Sequence, residues 1–293
     1  MWPINPVRVT ADDEAMTSSK VAPDGRVDAT ASRTAEFEVS GSPPASLTLI
    51  VPMYCETSRI GTTVKTLAGS VLHRDDVKFL FVDDGSPDET VRVTQAAIDA
   101  NRLRQSTILR LARNTGKGGA IKAAVQHADS AHVGFVDADL SLDPAEISRA
   151  LARLVATNAD LVVGHRIVDN ARQPKVRRFA SLTFRSIARH LVPTTATDTQ
   201  CAMKLFRAPV AKALFAALDT TGFAFDVELL RRADIAGMRI EDVPVAWQHQ
   251  AGSRLNTVTD SFRMLREIIA IRQSLRGATL PYCRSSSVAT RSE

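Results

Sequence analysis

Between residues 47 and 166 five short apolar runs recur, LTLIVPMY, KFLFVDD, STILRLAR, HVGFVDAD and ADLVVGHR. Each is rich in β-branched and aromatic residues and short enough for a buried strand, and apolar positions at helical spacing fill the segments between them. Strands alternating with helices predict an α/β fold, a mostly parallel twisted sheet flanked by helices. Ligands of such sheets gather at the carboxyl ends of the strands. There the polar clusters fall: Pro52-Tyr54-Glu56, Asp83 to Ser86, Asn114 to Gly119, Asp137 to Ser141, and His165-Arg166.

Beyond residue 166 the alternation breaks. Residues 174–192 and 258–276 each predict an amphipathic helix. The first carries Val176, Phe179, Ala180, Ile187 and Leu191 on one side and Arg178, Arg185 and Arg189 on another; the second carries Val258, Phe262, Leu265 and Ile269 against Arg263, Arg266, Arg272 and Arg276. Between them lie the run CAMKLFR, the helical FDVELLRRADIAG with its glycine stop, and the strand-like RIEDVPVAW. Residues 1–45, rich in Ala, Asp, Thr, Ser and Pro, read as a disordered leader, residues 46–276 as a single folded domain, and residues 277–293 as a flexible tail.

The formal charge of +5 suits nucleic acid, anionic lipid or a phosphorylated substrate. No aromatic platform interleaves the basic residues, which speaks against nucleic acid. Two basic amphipathic helices suit docking at a membrane surface. No apolar run approaches the roughly 18 to 20 residues of a spanning helix, and no basic-then-apolar secretory signal opens the chain. A cytoplasmic protein, peripheral on the inner face of the membrane, is therefore expected. Cys55, Cys201 and Cys283 lack zinc or disulfide spacing.

Asp137 and Asp139 leave VGFV directly, and carboxylates so close to a buried strand need a cation or hydrogen bonds. Hard oxygen donors select Mg²⁺ or Mn²⁺, which such acids commonly share with substrate phosphates. Asp83, first out of KFLFV, is placed to accept a hydrogen bond from a base or ribose, while Ser86 or Asp88 caps the following helix. The turn from Asn114 to Gly119 precedes a helix, so its amides and Lys117 can meet a phosphate, or it is a tight turn alone; it has neither Walker nor G-x-G-x-x-G spacing. No histidine pair at metal-ligand spacing and no G-x-S-x-G is present, and His165 and His249 read as polar lining.

The series Pro52-x-Tyr54-x-Glu56, VDDGSPDET, NTGKGGAIKAA, VDADLS, VVGHR, DTQCAMKLF, FDVELL and AGSRL resembles the inverting family 2 glycosyltransferases of the dolichyl-phosphate sugar synthase type over residues 47–275. DTQC-x-x-KLF, FDVELL and GSRL resemble the glucosyltransferase branch more than the mannosyltransferase branch. The resemblance implies a GT-A fold and transfer of a sugar from a nucleotide sugar, UDP-glucose in that branch, to a polyprenyl phosphate. By position it implies that Pro52, Tyr54, Glu56, Phe81 and Asp83 bind the nucleotide, Asp137 and Ala138 its ribose and diphosphate side, and Asp139 the metal. It further implies that Arg166, Arg177 and Ser181 hold the acceptor phosphate, that Arg254 approaches the phosphates, and that Asp198 stands near the sugar. Ser141 stands where some relatives offer another metal ligand.

A lipid phosphate is already anionic, so it attacks the anomeric carbon without a strong base; positioning and neutralisation of the leaving diphosphate are the main demands. Asp198 is accordingly expected to orient the sugar or to stabilise its oxocarbenium character. Members of this type often carry a membrane span; here the basic helices or an anchoring partner are expected to supply the membrane contact. Three alternatives stay open: a polyprenyl-phosphate mannosyltransferase using GDP-mannose, an enzyme with a soluble acceptor, and a non-catalytic nucleotide-sugar-binding protein. Sugar identity is expected to be decided around Asp198, Asp226 and Arg254.

Overall fold

A computed structural model describes residues 46–167, 191–247 and 257–276 of the 293-residue chain. The expected leader, the tail, the AGSRL segment and nearly all of the predicted helix 174–192 lie outside these residues. The five predicted strands form as β1 (Leu47–Met53), β2 (Val77–Asp83), β3 (Ser106–Arg110), β4 (His132–Phe135) and β5 (Leu161–Ile167). The helices between them are α1 (Ile60–Ala68), α2 (Thr90–Asn101), α3 (Lys117–His127) and α4 (Pro144–Thr157). Then follow β6 (Lys204–Arg207), α5 (Ala208–Ala216), α6 (Phe225–Ile235), β7 (Ile240–Ala246) and α7 (Thr257–Ser274).

The strands make one seven-stranded sheet in the order β3-β2-β1-β4-β6-β5-β7. All pairs are parallel except those of β6, which runs antiparallel to both β4 and β5. The short KLFR strand thus sits in the middle of the sheet, with Gly134 and Val162 opposite Leu205 on its two sides. Helix α5, which the sequence reading did not single out, follows at once. Its signal is Pro209 in the first turn, where a missing N–H costs nothing.

Strand alternation divides the core into two layers. Leu47, Leu49, Val51, Phe79 and Phe81 face α1, α2 and α4, packing on Ile60, Val64, Leu67, Ile147 and Leu151. Ile50, Leu80, Val82, Val133 and Phe135 face the other way, against Ile121, Val125, Leu214, Phe215, Phe225 and Leu229 of α3, α5 and α6. Each such side chain, taken wholly out of water, contributes about 1.5–3 kcal/mol before chain entropy is set against it. A third cluster joins α7 to α6 through Ile268, Ile271 and Leu275 against Ala224 and Val227. The stripe α7 buries is therefore centred on Ile268 and Ile271, and Ile269, placed on the apolar face by helical spacing alone, is 43% exposed.

Register brings the strand exits level. Met53 lies opposite Asp83, and Asp83 opposite Arg110, while the Val136 N–H donates to Ile50 O at 3.1 Å just before the acidic turn. Helix α4 starts sharply because the Asp143 carboxylate accepts from Ala145 N at 2.8 Å and Pro144 occupies the first turn. That start fixes where the chain leaves the Asp137–Asp139 turn.

Candidate active site

The exits of β1 and β2 are tied together by backbone-to-side-chain bonds. Cys55 N donates to Ser86 Oγ and Glu56 N to Thr90 Oγ1, both at 2.9 Å. Asp88 accepts from Thr90 N at 3.1 Å, so Asp88 supplies the helix-start bond and Ser86 serves the neighbouring loop. Tyr54, 45% exposed, and Pro52 stand at this rim. Asp83 is completely buried, and its Oδ2 accepts from Ser86 N at 3.2 Å and lies 3.5 Å from Arg110 Nε. Its Oδ1 has no hydrogen-bond partner among the described residues. A buried carboxylate oxygen left unsatisfied is costly, so this oxygen is an acceptor held ready for a donor on a ligand.

Phe81 does not join the site through its side chain. It is completely buried among the α1-side core residues, because β2 alternates and an odd position next to Val82 must face that layer. Glu56 is held by Arg59, whose Nε and Nη2 each bind one carboxylate oxygen at 2.7 Å. Arg59 belongs to none of the sequence motifs. The ion pair with Glu56 raises its pKa despite partial burial, and Asp139 and Asp137 add to the effect, so the guanidinium stands in the field of both acids.

The acidic turn is built tightly. Thr63 Oγ1 donates to Ala138 O at 2.5 Å, Leu140 N to Asp137 O at 3.0 Å, and Ser141 N to Asp139 Oδ1 at 3.2 Å. Leu140 takes φ +45° and Cys55 φ +54°, a left-handed conformation that neither side chain favours. Such strain persists only where surrounding contacts impose it, and here it flanks Asp139 on one loop and Tyr54 and Glu56 on the other. Asp139, with Arg59, Ser58, Thr62, Asp143 and Leu142, lines a cavity of about 530 Å³. Ala138 is buried and contributes backbone only.

Asp137 points the other way, to Lys117 Nζ at 2.5 Å. Lys117 opens α3 and also lies over the Phe225 ring, 5.9 Å from its centre. Burial works against its charge, but Asp137 and Asp226 more than offset this and its pKa is raised. The preceding turn is latched by Asp84, which accepts from Thr115 N at 2.7 Å, Thr115 Oγ1 at 2.8 Å and Gly116 N at 2.9 Å. Burial nonetheless pushes the Asp84 carboxyl up. Gly116, at φ +86°, lies so near Thr221 that an added Cβ would sit 2.5 Å from its carbonyl oxygen. The turn is thus both a structural knot and the base from which Lys117 reaches the acids.

On the far side, Arg166 at the end of β5 grips Asp198 at two points, and the indole of Trp247 lies 5.3 Å from the guanidinium carbon. Trp247 forms an isolated bridge with Leu142, so the acidic loop and the arginine share a neighbour. Burial lowers the Arg166 pKa, but the hydrogen bonds and charge of Asp198 raise it further, with a smaller contribution from Asp137. Beneath this pair Lys204 is completely buried and meets Asp226 Oδ1 at 2.7 Å. Burial pushes the Asp226 carboxyl up, against the pull of Lys204 and then Lys117.

The structure therefore brings together Tyr54, Asp83, Lys117, Asp137, Asp139, Arg166 and Asp198 at one sheet edge, with Glu56 in reserve behind Arg59. Arg177, Ser181 and Arg254 lie outside the described residues. Arg59, Trp247 and Lys204 are the charged or aromatic members that sequence patterns did not single out. Among the described residues no group of three or more His, Cys, Asp or Glu is gathered as a complete metal cage. Asp137 and Asp139 nevertheless fit Mg²⁺ or Mn²⁺, since Mg²⁺ is usually held by one or two carboxylates with the balance from phosphate and water.

The family model for Glycosyl transferase family 2 matches residues 48–215. Dolichyl-phosphate beta-glucosyltransferase from Dictyostelium discoideum is 29% identical over 240 residues, covering 77% of this chain and 73% of that protein. The Saccharomyces cerevisiae protein of the same name is 27% identical over 250 residues, with 78% and 74% covered. Among solved structures, glucosyl-3-phosphoglycerate synthase from Mycobacterium tuberculosis, in complex with Mn²⁺, UDP-glucose and phosphoglyceric acid, superposes with a TM-score of 0.58 at 16% identity, covering 78% of this chain and 79% of that one. The same synthase has also been solved with Mg²⁺ and UDP at the same TM-score of 0.58. The likeness is one of fold, and the fold is GT-A.

Proposed function

From the premise that this chain belongs to glycosyl transferase family 2, we propose that it transfers glucose from UDP-glucose to a polyprenyl or dolichyl phosphate, with inversion at the anomeric carbon. The observation that carries this reading is the pair Asp137 and Asp139 at the exit of β4, set between the unsatisfied Asp83 Oδ1 on one side and Arg166 on the other. Relatives named dolichyl-phosphate beta-glucosyltransferase, aligned over about three quarters of the chain, support the choice of glucose as the sugar and of dolichyl phosphate as the acceptor.

In this reading Asp83 Oδ1 accepts an N–H from the base, with Pro52 and Tyr54 at its edge. Asp137 and Asp139 hold Mg²⁺ or Mn²⁺, which supplies charge neutralisation for the departing diphosphate. Lys117 and Arg59 add fixed positive charge beside the same phosphates. Arg166, restrained by Asp198 and Trp247, retains further N–H donors on its fork and meets the acceptor phosphate. Arg177, Ser181 and Arg254 complete that phosphate site. Asp198 is committed to Arg166, which suits an orienting carboxylate more than a proton acceptor. The acceptor is an anion already, so these residues need only align it and exclude water.

Among the described residues no helix is long and apolar enough to cross a membrane. The proposed route to a lipid acceptor is peripheral, at the cytoplasmic face, through the basic segments at 174–192 and 258–276 or through an anchoring partner. The catalytic domain is proposed to span residues 46–276.

The test supplies radiolabelled UDP-glucose, polyprenyl phosphate and Mn²⁺, and follows label into organic solvent. The expected product is a lipid-extractable, mild-acid-labile sugar phosphate that EDTA abolishes. Label confined to the aqueous phase indicates a soluble acceptor, preference for GDP-mannose overturns the donor, and tight UDP binding without turnover on any acceptor returns the chain to a binding protein.

A further inference from the structure

The turn that carries Lys117 is pressed against the segment leading into α6. Gly119 N donates to Thr221 O at 3.2 Å, and a Cβ added at Gly116 would sit 2.5 Å from that same oxygen. A Cβ added at Gly118 would sit 2.7 Å from Cβ of Phe225, the first residue of α6, whose ring centre is 5.9 Å from the Lys117 ammonium. Glycine alone lets backbones approach so closely. The placement of residues 219–224 therefore decides where α3 begins and from which point Lys117 reaches out.

Two carboxylates hold that segment. Glu228, in the first turn of α6, accepts from Asp219 N at 3.0 Å and Thr220 N at 2.7 Å. At the other end Ala224 stands at the N-cap of α6 with no side chain able to cap it, and Glu267 of α7 accepts its N–H at 3.0 Å. Glu267 comes from 43 residues further along the chain and passes close over Gly222, where an added Cβ would lie 2.2 Å from its Oε1. Helix α7 has no need of this carboxylate to dock. Ile268, Ile271 and Leu275 already pack on Ala224 and Val227, and an apolar side chain at 267 would be half-buried there without the cost of desolvating a charge. What the carboxylate supplies is a hold on the backbone three residues from Thr221, the residue that touches the Lys117 turn.

We propose that Glu267 is a positioning residue for the donor site: by holding Ala224 N across Gly222 it fixes Thr221 against Gly116 and Gly119, and so sets the point from which Lys117 meets the diphosphate. This rests on the reading of Lys117 as a contact of the donor phosphates. A cap that served α6 alone would contribute to stability and leave nucleotide binding untouched.

The test measures calorimetric affinity for Mn²⁺·UDP, well below the melting temperature, on the full chain and on Glu267→Ala, Glu267→Gln and Gly222→Ala, with thermal melting alongside. Glu267→Ala releases Ala224 N, and Gly222→Ala pushes the carboxylate away from it by a contact with the free end of the side chain, which leaves the backbone in place. In both variants affinity for Mn²⁺·UDP should fall about tenfold. Glu267→Gln keeps an oxygen acceptor for Ala224 N and should bind nearly as the unsubstituted chain does. Should Glu267→Ala not fold, Gly222→Ala carries the same expectation. Unchanged affinity in the folded variants overturns the role, whatever happens to melting, and so does a loss in Glu267→Gln equal to that in Glu267→Ala. Failure of both Glu267→Ala and Gly222→Ala to fold overturns it as well, since Glu267 is then structural. If the unsubstituted chain binds no Mn²⁺·UDP, the reading of the donor site falls and this inference with it, a result separable from the others because it precedes any substitution.

Discussion

Arg166 and Asp198 are joined by a two-point ion pair, with Nε to Oδ2 at 2.7 Å and Nη2 to Oδ1 at 3.0 Å, and both side chains are largely enclosed. The planar fork that permits this geometry is peculiar to arginine, and the Trp247 ring holds its face. Arg166→Lys keeps the charge but loses both the fork and the stack. Turnover with a saturating donor should fall about 100-fold, with KM for the phosphate acceptor raised and affinity for Mn²⁺·UDP unchanged. Steady-state kinetics against each substrate in turn separates these effects.

Asp139 is the acid that faces the cavity, held through Ser141 N and followed by the strained Leu140. Asp139→Ala should reduce metal-dependent transfer by about 100-fold or more, and added Mn²⁺ should not restore it. Full activity in this variant would remove Asp139 from the metal site. Melting temperature should fall slightly, because the turn loses the carboxylate that accepts from Ser141 N at 3.2 Å.

The unsatisfied Oδ1 of Asp83 predicts a different signature. Asp83→Asn keeps the shape and keeps an acceptor, but an amide NH₂ now competes for the position that faces the ligand. Binding of UDP should weaken by about 1–3 kcal/mol, the cost of a buried polar group left unpaired. The loss should be the same with and without metal, in contrast to Asp139→Ala. Calorimetry in Mn²⁺ and in EDTA checks the contrast.

Glu228 offers a prediction about stability and pH. It is completely buried; burial alone would raise its pKa, but bonds from Thr220 and Asp219 N–H groups and from Arg232 outweigh this and hold it below the ordinary value of 4.5. A depressed folded pKa means that the stabilisation is complete above the unfolded value and is lost as pH falls through the folded one. Acid unfolding should therefore set in below about pH 4.5. Glu228→Gln should lose about 2 kcal/mol at neutral pH, since Arg232 retains Asp219 at 2.9 Å, and should show a shallower acid limb. Chemical denaturation across the acid range measures both.

How far these features can be read from the chain depends on how local their causes are. The order of strands and helices from residue 47 to 167 is set by apolar period, and burial cost drives Asp137 and Asp139 to a strand exit, whereas Asp83, the last residue of β2, stays buried with the Ser86 N–H as its donor. The helix start at Asp143-Pro144 and the turn around Gly116 are likewise written in neighbouring residues. Resemblance carried Phe81 toward the nucleotide, whereas the two-residue period of β2 carries its side chain into the core.

What the tertiary structure decided are the partners of charges far apart in sequence. Lys204 and Asp226 are separated by α5, Asp137 and Lys117 by β4, Arg166 and Trp247 by most of the second half of the described chain. No local spacing encodes these pairs. Lys204 reaches its place because β6 inserts antiparallel between β4 and β5 and brings it against Phe135, and Arg166 reaches Trp247 because β5 pairs in parallel with β7. The sequence by itself determined that acids would line one edge of a parallel sheet; only the packed sheet decided which cation each acid keeps, because ion pairing in a low-dielectric interior depends on distance in space.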